Sequence, residues 1–164
     1  MRLPLLLLAV FFLAPAARSQ TTAIDSLTGE TILVGPVVRS AFDTTSWFRS
    51  NSDLYRPTAG LIHQIDSLDA GDSVAVVFGS WCTDSHMWVP IMLSITDSTS
   101  LAHKLGFIAV PRSPEGRKKN APGLNITKVP TFIFYHDGKE IGRIVEEPEG
   151  DIGENIVKIL KGGD

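Results

Sequence analysis

The chain has a single cysteine among its 164 residues, Cys82. One cysteine forms no internal disulfide, so the bridged frameworks common in small secreted domains are excluded and stability must come from a packed core. Excess basic charge is missing as well, with 15 Lys and Arg against 18 Asp and Glu. A mildly acidic surface argues against nucleic acid or anionic lipid as partner. The one basic cluster, "RKK" at Arg117 to Lys119, reads as a solvated loop or helix face. Internal repeats and long linkers are absent too. A chain of about 150 residues buries roughly 70% of its unfolded surface, enough for one domain with a real core.

Long apolar runs are confined to the start. "MRLPLLLLAVFFLAPAARSQ" places Arg2 before an apolar stretch from Leu3 to Leu13, followed by the small residues Ala14, Ala16, Ala17 and Ser19. Charge, apolar core and small-residue region in that order predict a secretory signal over residues 1–19, and the stretch is short for a bilayer of about 30 Å. The mature chain is expected to begin near Ala17 or Gln20, to lie outside the cytoplasm, secreted or periplasmic, and to hold no membrane span. Without residues 1–19, which carry Arg2 and Arg18 and no acid, 13 basic side chains face 18 acidic ones.

Residues 20–56 mix Thr, Ser, Asp and Gly around one apolar run, "TILVGPVV", read as a short strand interrupted by Gly35 and Pro36 within an extension packed onto the domain. In "RPTAGLIHQIDSLDAGD" Thr58 can cap a helix whose Leu61, Ile62, Ile65 and Leu68 recur at helical spacing, with Gly71 as its stop. "SVAVVF" has the β-branched composition of a strand buried on both faces. "TDSHMWVPIMLSITDSTSLAHKLG" reads as one long helix kinked at Pro90, and "FIAV" as a second buried strand, parallel to the first through a right-handed crossover. After the polar stretch "PRSPEGRKKNAPG", the Asp-Gly pair between "TFIFY" and "EIGRIVE" predicts a β-hairpin, and "EGDIGENIVKILKGG" an amphipathic closing helix.

A strand ending just before Trp81-Cys82, a helix starting at the cysteine, Pro90 eight residues on, and "KVPTFIFYHDGKEIGRI" farther along resemble the thioredoxin family. The motif Trp-Cys-x-Asp-Ser is most similar to secreted or periplasmic bacterial members. The resemblance covers residues 57–164 and implies an α/β fold, thioredoxin-like, with a central mixed sheet of parallel strands plus a C-terminal β-hairpin, flanked by helices. It also implies a cis proline at Pro130 facing the sulfur, exposed backbone at Val129 that pairs with an extended partner segment, and Trp81 covering one side of Cys82. An X-Pro bond adopts cis at modest cost. Two positions depart from the family pattern: Ser85 stands where redox-active members carry a second cysteine, and Val76 where they often carry a buried acid. The usual dithiol cycle is therefore closed to this chain alone.

A cysteine at a helix N-terminus lies near unpaired N–H groups and the positive end of the helix dipole, which favour thiolate over thiol. The Ser85 hydroxyl can donate to the sulfur, and His86, one turn on, favours thiolate when protonated. Asp84 opposes it by like charge unless its carboxylate is occupied with the first helical N–H groups. Such a thiolate would hold a mixed disulfide that an external protein thiol or low-molecular-weight thiol must release, with Cys82 and Ser85 catalytic, Trp81, Val129 and Pro130 binding the substrate, and no cofactor. Peroxide oxidation has no dedicated set of residues to support it. The competing reading is a binding module in which Cys82 is a packed thiol and the Pro130 loop grips extended segments. Cys82 and His86 are too few for a closed metal site, and His136 is not evidently in reach. His63 and His103 read as structural, and the formal glycosylation acceptor Asn125-Ile-Thr127 adds nothing to the reading.

Overall fold

The computed structural model describes residues 20–162; the expected signal, residues 1–19, lies outside the described residues. Strand β4 (Ser73–Phe78) has Val74, Val76, Val77 and Phe78 buried, and it runs between β5 (Leu105–Ala109) and β6 (Thr131–His136). It pairs parallel with β5, Val76 opposite Phe107, and antiparallel with β6, Val76 opposite Phe132. The Asp-Gly turn has positive φ at both residues, 49° at Asp137 and 75° at Gly138, and joins β6 to β7 (Lys139–Val145) as the expected hairpin. The main sheet has the order β3-β5-β4-β6-β7, with β3 (Gly35–Val37) antiparallel to β5 at its edge. This is the expected mixed sheet, flanked by helices.

Helix α2 (Ala59–Leu68) starts where Thr58 Oγ1 accepts from Leu61 N–H at 3.2 Å, and it buries Ile65 completely. Helix α5 (Ile152–Leu160) is capped by Asp151, which accepts from Glu154 N–H at 3.1 Å, and buries Ile152, Ile156 and Val157. Ser113 caps α4 (Pro114–Asn120), with Pro114 in the first turn where its missing N–H costs nothing.

Two expectations need correction. The long helix predicted over residues 83–106 ends early: α3 spans Thr83–Thr96 with Pro90 inside it, and Ser100–His103 forms a separate 3-10 turn. The polar run between them bonds backbone instead of propagating the helix. Thr96 Oγ1 donates to Met92 C=O, Thr99 Oγ1 to Thr96 C=O, and Ser100 is held by α2 through Asp66 and Asp69. The run "TILVGPVV" forms two strands in different sheets: β2 (Thr31–Leu33) pairs with β1 (Thr22–Ile24) as a separate hairpin, while Gly35, at φ 78°, turns the chain so that β3 joins the main sheet. Pro36 is tolerated there because β3 is an edge strand.

The extension thus contributes to the sheet and also to the core. Phe42 is fully buried and meets Phe78 and Phe107 at ring-centroid distances of 5.1 and 5.2 Å. Helix α1 (Ser46–Asn51), which the sequence reading did not foresee, buries Phe48 and packs on α3. Among the described residues no helix is long and apolar enough to cross a membrane.

Candidate functional site

Strand β4 ends at Phe78, and the turn Gly79-Ser80-Trp81 delivers Cys82 to the N-cap of α3. The turn is closed by Cys82 N–H donating to Gly79 C=O at 3.0 Å, and the helix begins with His86 N–H on Cys82 C=O at 3.0 Å. Cys82 is half-buried, free, and makes no side-chain cap bond, so no thiol group occupies the first N–H groups of α3. Its Sγ donates to the Val129 carbonyl at 3.4 Å. The sulfur and this loop meet across 47 residues of sequence, and the Val129–Pro130 bond is cis. The Val129 backbone is not as open as expected. The residue is 3% exposed, covered by the thiol and by a cluster that includes Val77, Val110 and Ile133.

Ser85 is completely buried, and its Oγ accepts from Gly79 N–H at 3.1 Å. The hydroxyl therefore braces the turn that precedes the cysteine, where a bond to the sulfur was expected. His86 is also engaged away from the sulfur: Nε2 lies 2.8 Å from Ser80 C=O, and the ring stacks on Trp47 at 4.6 Å, 14° from parallel. Asn51 Nδ2 donates to His86 C=O at 3.1 Å, which ties α1 to the first turn of α3. Asp84 is exposed in that turn. Lys128, next to Val129, is raised above the usual lysine range, chiefly by its hydrogen bond to Glu146 and, in smaller part, by the charge of Asp84. Val76, at the position where the family pattern has an acid, is fully buried between Phe107 and Phe132 and offers no proton relay.

Trp81 folds back over the turn. Its Nε1–H donates to Val110 C=O at 2.8 Å, and the Arg112 guanidinium stands 4.3 Å from the ring centroid. A Cβ at residue 79 would lie 2.7 Å from the indole Cε2, so only glycine fits beneath the ring. Gly79, Val110, Arg112, Trp47 and Asn51 were not singled out from the sequence; the glycine two residues before Trp81 was the only local signal among them.

The structure brings Trp81, Cys82 and Val129 together in one cluster, with Pro130 joined to Val129 by the cis bond, Ser85 buried in the first turn of α3 and Asp84 exposed. His136 lies elsewhere, with Nδ1 2.9 Å from the buried Asp72. Among the described residues no group of three or more His, Cys, Asp or Glu could hold a metal ion.

A mixed five-stranded sheet with a C-terminal hairpin, a cysteine at the start of the helix after β4 and a cis proline opposite it define a thioredoxin-like α/β protein. No family model matches the chain. Thioredoxin of Malassezia sympodialis is 30% identical over 84 residues, which are 50% of this chain and 77% of that protein. Thioredoxin of Chlamydia muridarum is 25% identical over 96 residues, 58% of this chain and 85% of that protein. The chain belongs to the thioredoxin family.

Proposed function

We propose that this protein is a monothiol member of the family, secreted or periplasmic, that exchanges disulfides with other proteins through Cys82. The observation that carries the reading is the place of Cys82 at the N-cap of α3, half-buried and free, with no side chain capping the first N–H groups of the helix. In the exchange, the Cys82 thiolate attacks one sulfur of a partner disulfide. A new S–S bond forms, the old one breaks, and the second partner sulfur leaves as thiolate. The first-turn N–H groups of α3 can receive negative charge at Sγ, because no side chain caps them. Ser85 cannot resolve the mixed disulfide, so an external thiol attacks it, restores Cys82 and carries the partner sulfur away. The names of the relatives, both thioredoxins, and the signal pattern of residues 1–19 support partners that bear thiols or disulfides outside the cytoplasm.

A second reading has its own observation. The Cys82 thiol already donates to Val129 and packs against a buried apolar cluster, as an inert cysteine would, which favours a module that binds extended segments without redox turnover. Incubation of residues 20–164 with a disulfide-bonded peptide, followed by mass spectrometry, separates the two. The monothiol reading requires an adduct on Cys82 that glutathione removes and that Cys82→Ser abolishes. Peptide binding without adduct would favour the module.

A further inference from the structure

The β1–β2 hairpin lies far in sequence from the cysteine, yet it reaches the site along two routes. Asp25, in the turn after β1, is 2% exposed, and its Oδ2 accepts from Arg112 Nε at 2.6 Å. The carboxylate is oriented from its other side by Leu27 N–H on Oδ1 at 3.1 Å and by the Thr28 hydroxyl on Oδ2 at 3.3 Å. Arg112 is held at its backbone as well, where Arg117 Nη1 donates to its carbonyl at 2.5 Å. So fixed, the guanidinium lies against the indole of Trp81, whose edge is pinned by Val110. The second route runs through β2: Leu33 N–H donates to Ser80 Oγ at 2.9 Å, two residues before Cys82.

We propose that this hairpin is a working part of the site: Asp25 holds Arg112 against Trp81, and the pair fixes the indole as the platform on which a partner's disulfide-bearing segment is received. Asp25 and Arg112 are positioning residues that act through Trp81 and take no part in bond making. The platform role rests on the exchange chemistry proposed for Cys82, in which no oxidant beyond the partner disulfide is needed. The physical case is the burial of a carboxylate in a hairpin turn. A buried charge is retained where it is paired, and this one is paired to a group whose other contact is the tryptophan beside the reacting sulfur.

The test uses the mature chain labelled with 5-fluorotryptophan, with the Trp81 fluorine resonance assigned by Trp81→Phe. Asp25→Asn and Arg112→Met are expected to move the Trp81 resonance while that of Trp88, on α3, stays in place and the far-ultraviolet circular dichroism is unchanged. Arg112→Lys, which keeps the charge but not the planar group, should fall between them and the parent. In the same variants, the rate of exchange with a peptide disulfide divided by the rate of alkylation by iodoacetamide should drop at least threefold, because the small reagent needs no platform. A fixed Trp81 resonance in folded Asp25→Asn and Arg112→Met overturns the proposal. A moved resonance with an unchanged ratio overturns the platform role. If the parent shows no exchange at all, the redox reading and the platform role fall together, and the resonances still decide whether the hairpin holds the tryptophan.

Discussion

Replacing Gly79 by alanine tests the placement of Trp81 most sharply. The added Cβ would lie 2.7 Å from Cε2, 2.9 Å from Nε1 and 3.0 Å from Cζ2 of the indole. The ring cannot yield as a flexible chain end would, since it is rigid and bonded to Val110 at 2.8 Å. Either the turn shifts or the indole lifts and loses that bond. Overpacking of this kind costs about 1–3 kcal/mol, and loss of the hydrogen bond adds about 1 kcal/mol. For a domain of this size, each kcal/mol lowers Tm by roughly 2–4 °C, so a total of about 2–4 kcal/mol should lower it by about 4–16 °C. The internal control is Gly106→Ala on β5, where a new Cβ meets nothing within 4 Å and the change should stay within about 0.5 kcal/mol. Thermal unfolding followed by circular dichroism reads both. Equal stability of the two variants would refute the packing of Trp81 over Gly79.

Three further outcomes follow from the same geometry. Burial pushes the Asp69 carboxyl up, but the Lys104 ammonium, the Ser100 hydroxyl and the backbone N–H groups of Asp72 and Gly71 outweigh it and bring its pKa from 3.8 to about 2. A lowered folded-state value contributes stability above the unfolded pKa that is lost as pH falls through the folded one. Asp69→Asn should therefore cost about 2 kcal/mol at pH 7 and progressively less between about pH 4 and pH 2; urea unfolding across that range checks it, and an unchanged difference would count against the Lys104 pairing. Ser85→Ala leaves the buried Gly79 N–H without its acceptor and should destabilise by about 1–3 kcal/mol in denaturant unfolding, whereas Asp84→Asn, at an exposed position, should change stability by under about 0.5 kcal/mol. Ser85→Cys should produce a protein whose two thiols vanish on oxidation in a titration with a thiol reagent, while the parent keeps its one; two thiols persisting after oxidation would mean that residue 85 cannot reach the sulfur.

The central strands, α2, the hairpin and the closing helix were legible because each carries a local signal: β-branched runs in β4, Thr58 before a helical period, Asp137-Gly138 between apolar runs, and the 3.6-residue spacing of Ile152, Ile156 and Val157. Trp81-Cys82 and Pro130 pointed to the candidate site for the same reason, through residues whose identity announces them. The role of residues 20–56 was not legible. Phe42 in the core and β3 at the sheet edge depend on contacts with Phe78, Phe107 and β5, and no pattern within "AFDTTSWFRSN" specifies those partners. Asp25 and Arg112, 87 residues apart, are ordinary surface types in sequence, and only the fold makes them a pair. Ser85 and His86 were read as facing the sulfur because they share its helix, but the turn before the helix claims both, through Gly79 N–H and Ser80 C=O. Competition from backbone groups one turn away is invisible to helical spacing.

Disulfide exchange at this site requires Cys82 to be a working thiol. The measurement that tests it most directly is the rate of Cys82 alkylation by iodoacetamide at neutral pH in the folded protein, set beside the same protein unfolded in urea and corrected for the effect of urea on free cysteine. A folded protein that reacts faster than its unfolded chain is the predicted result. A folded protein that reacts more slowly would contradict the exchange mechanism and leave the Pro130 loop as a binding surface alone.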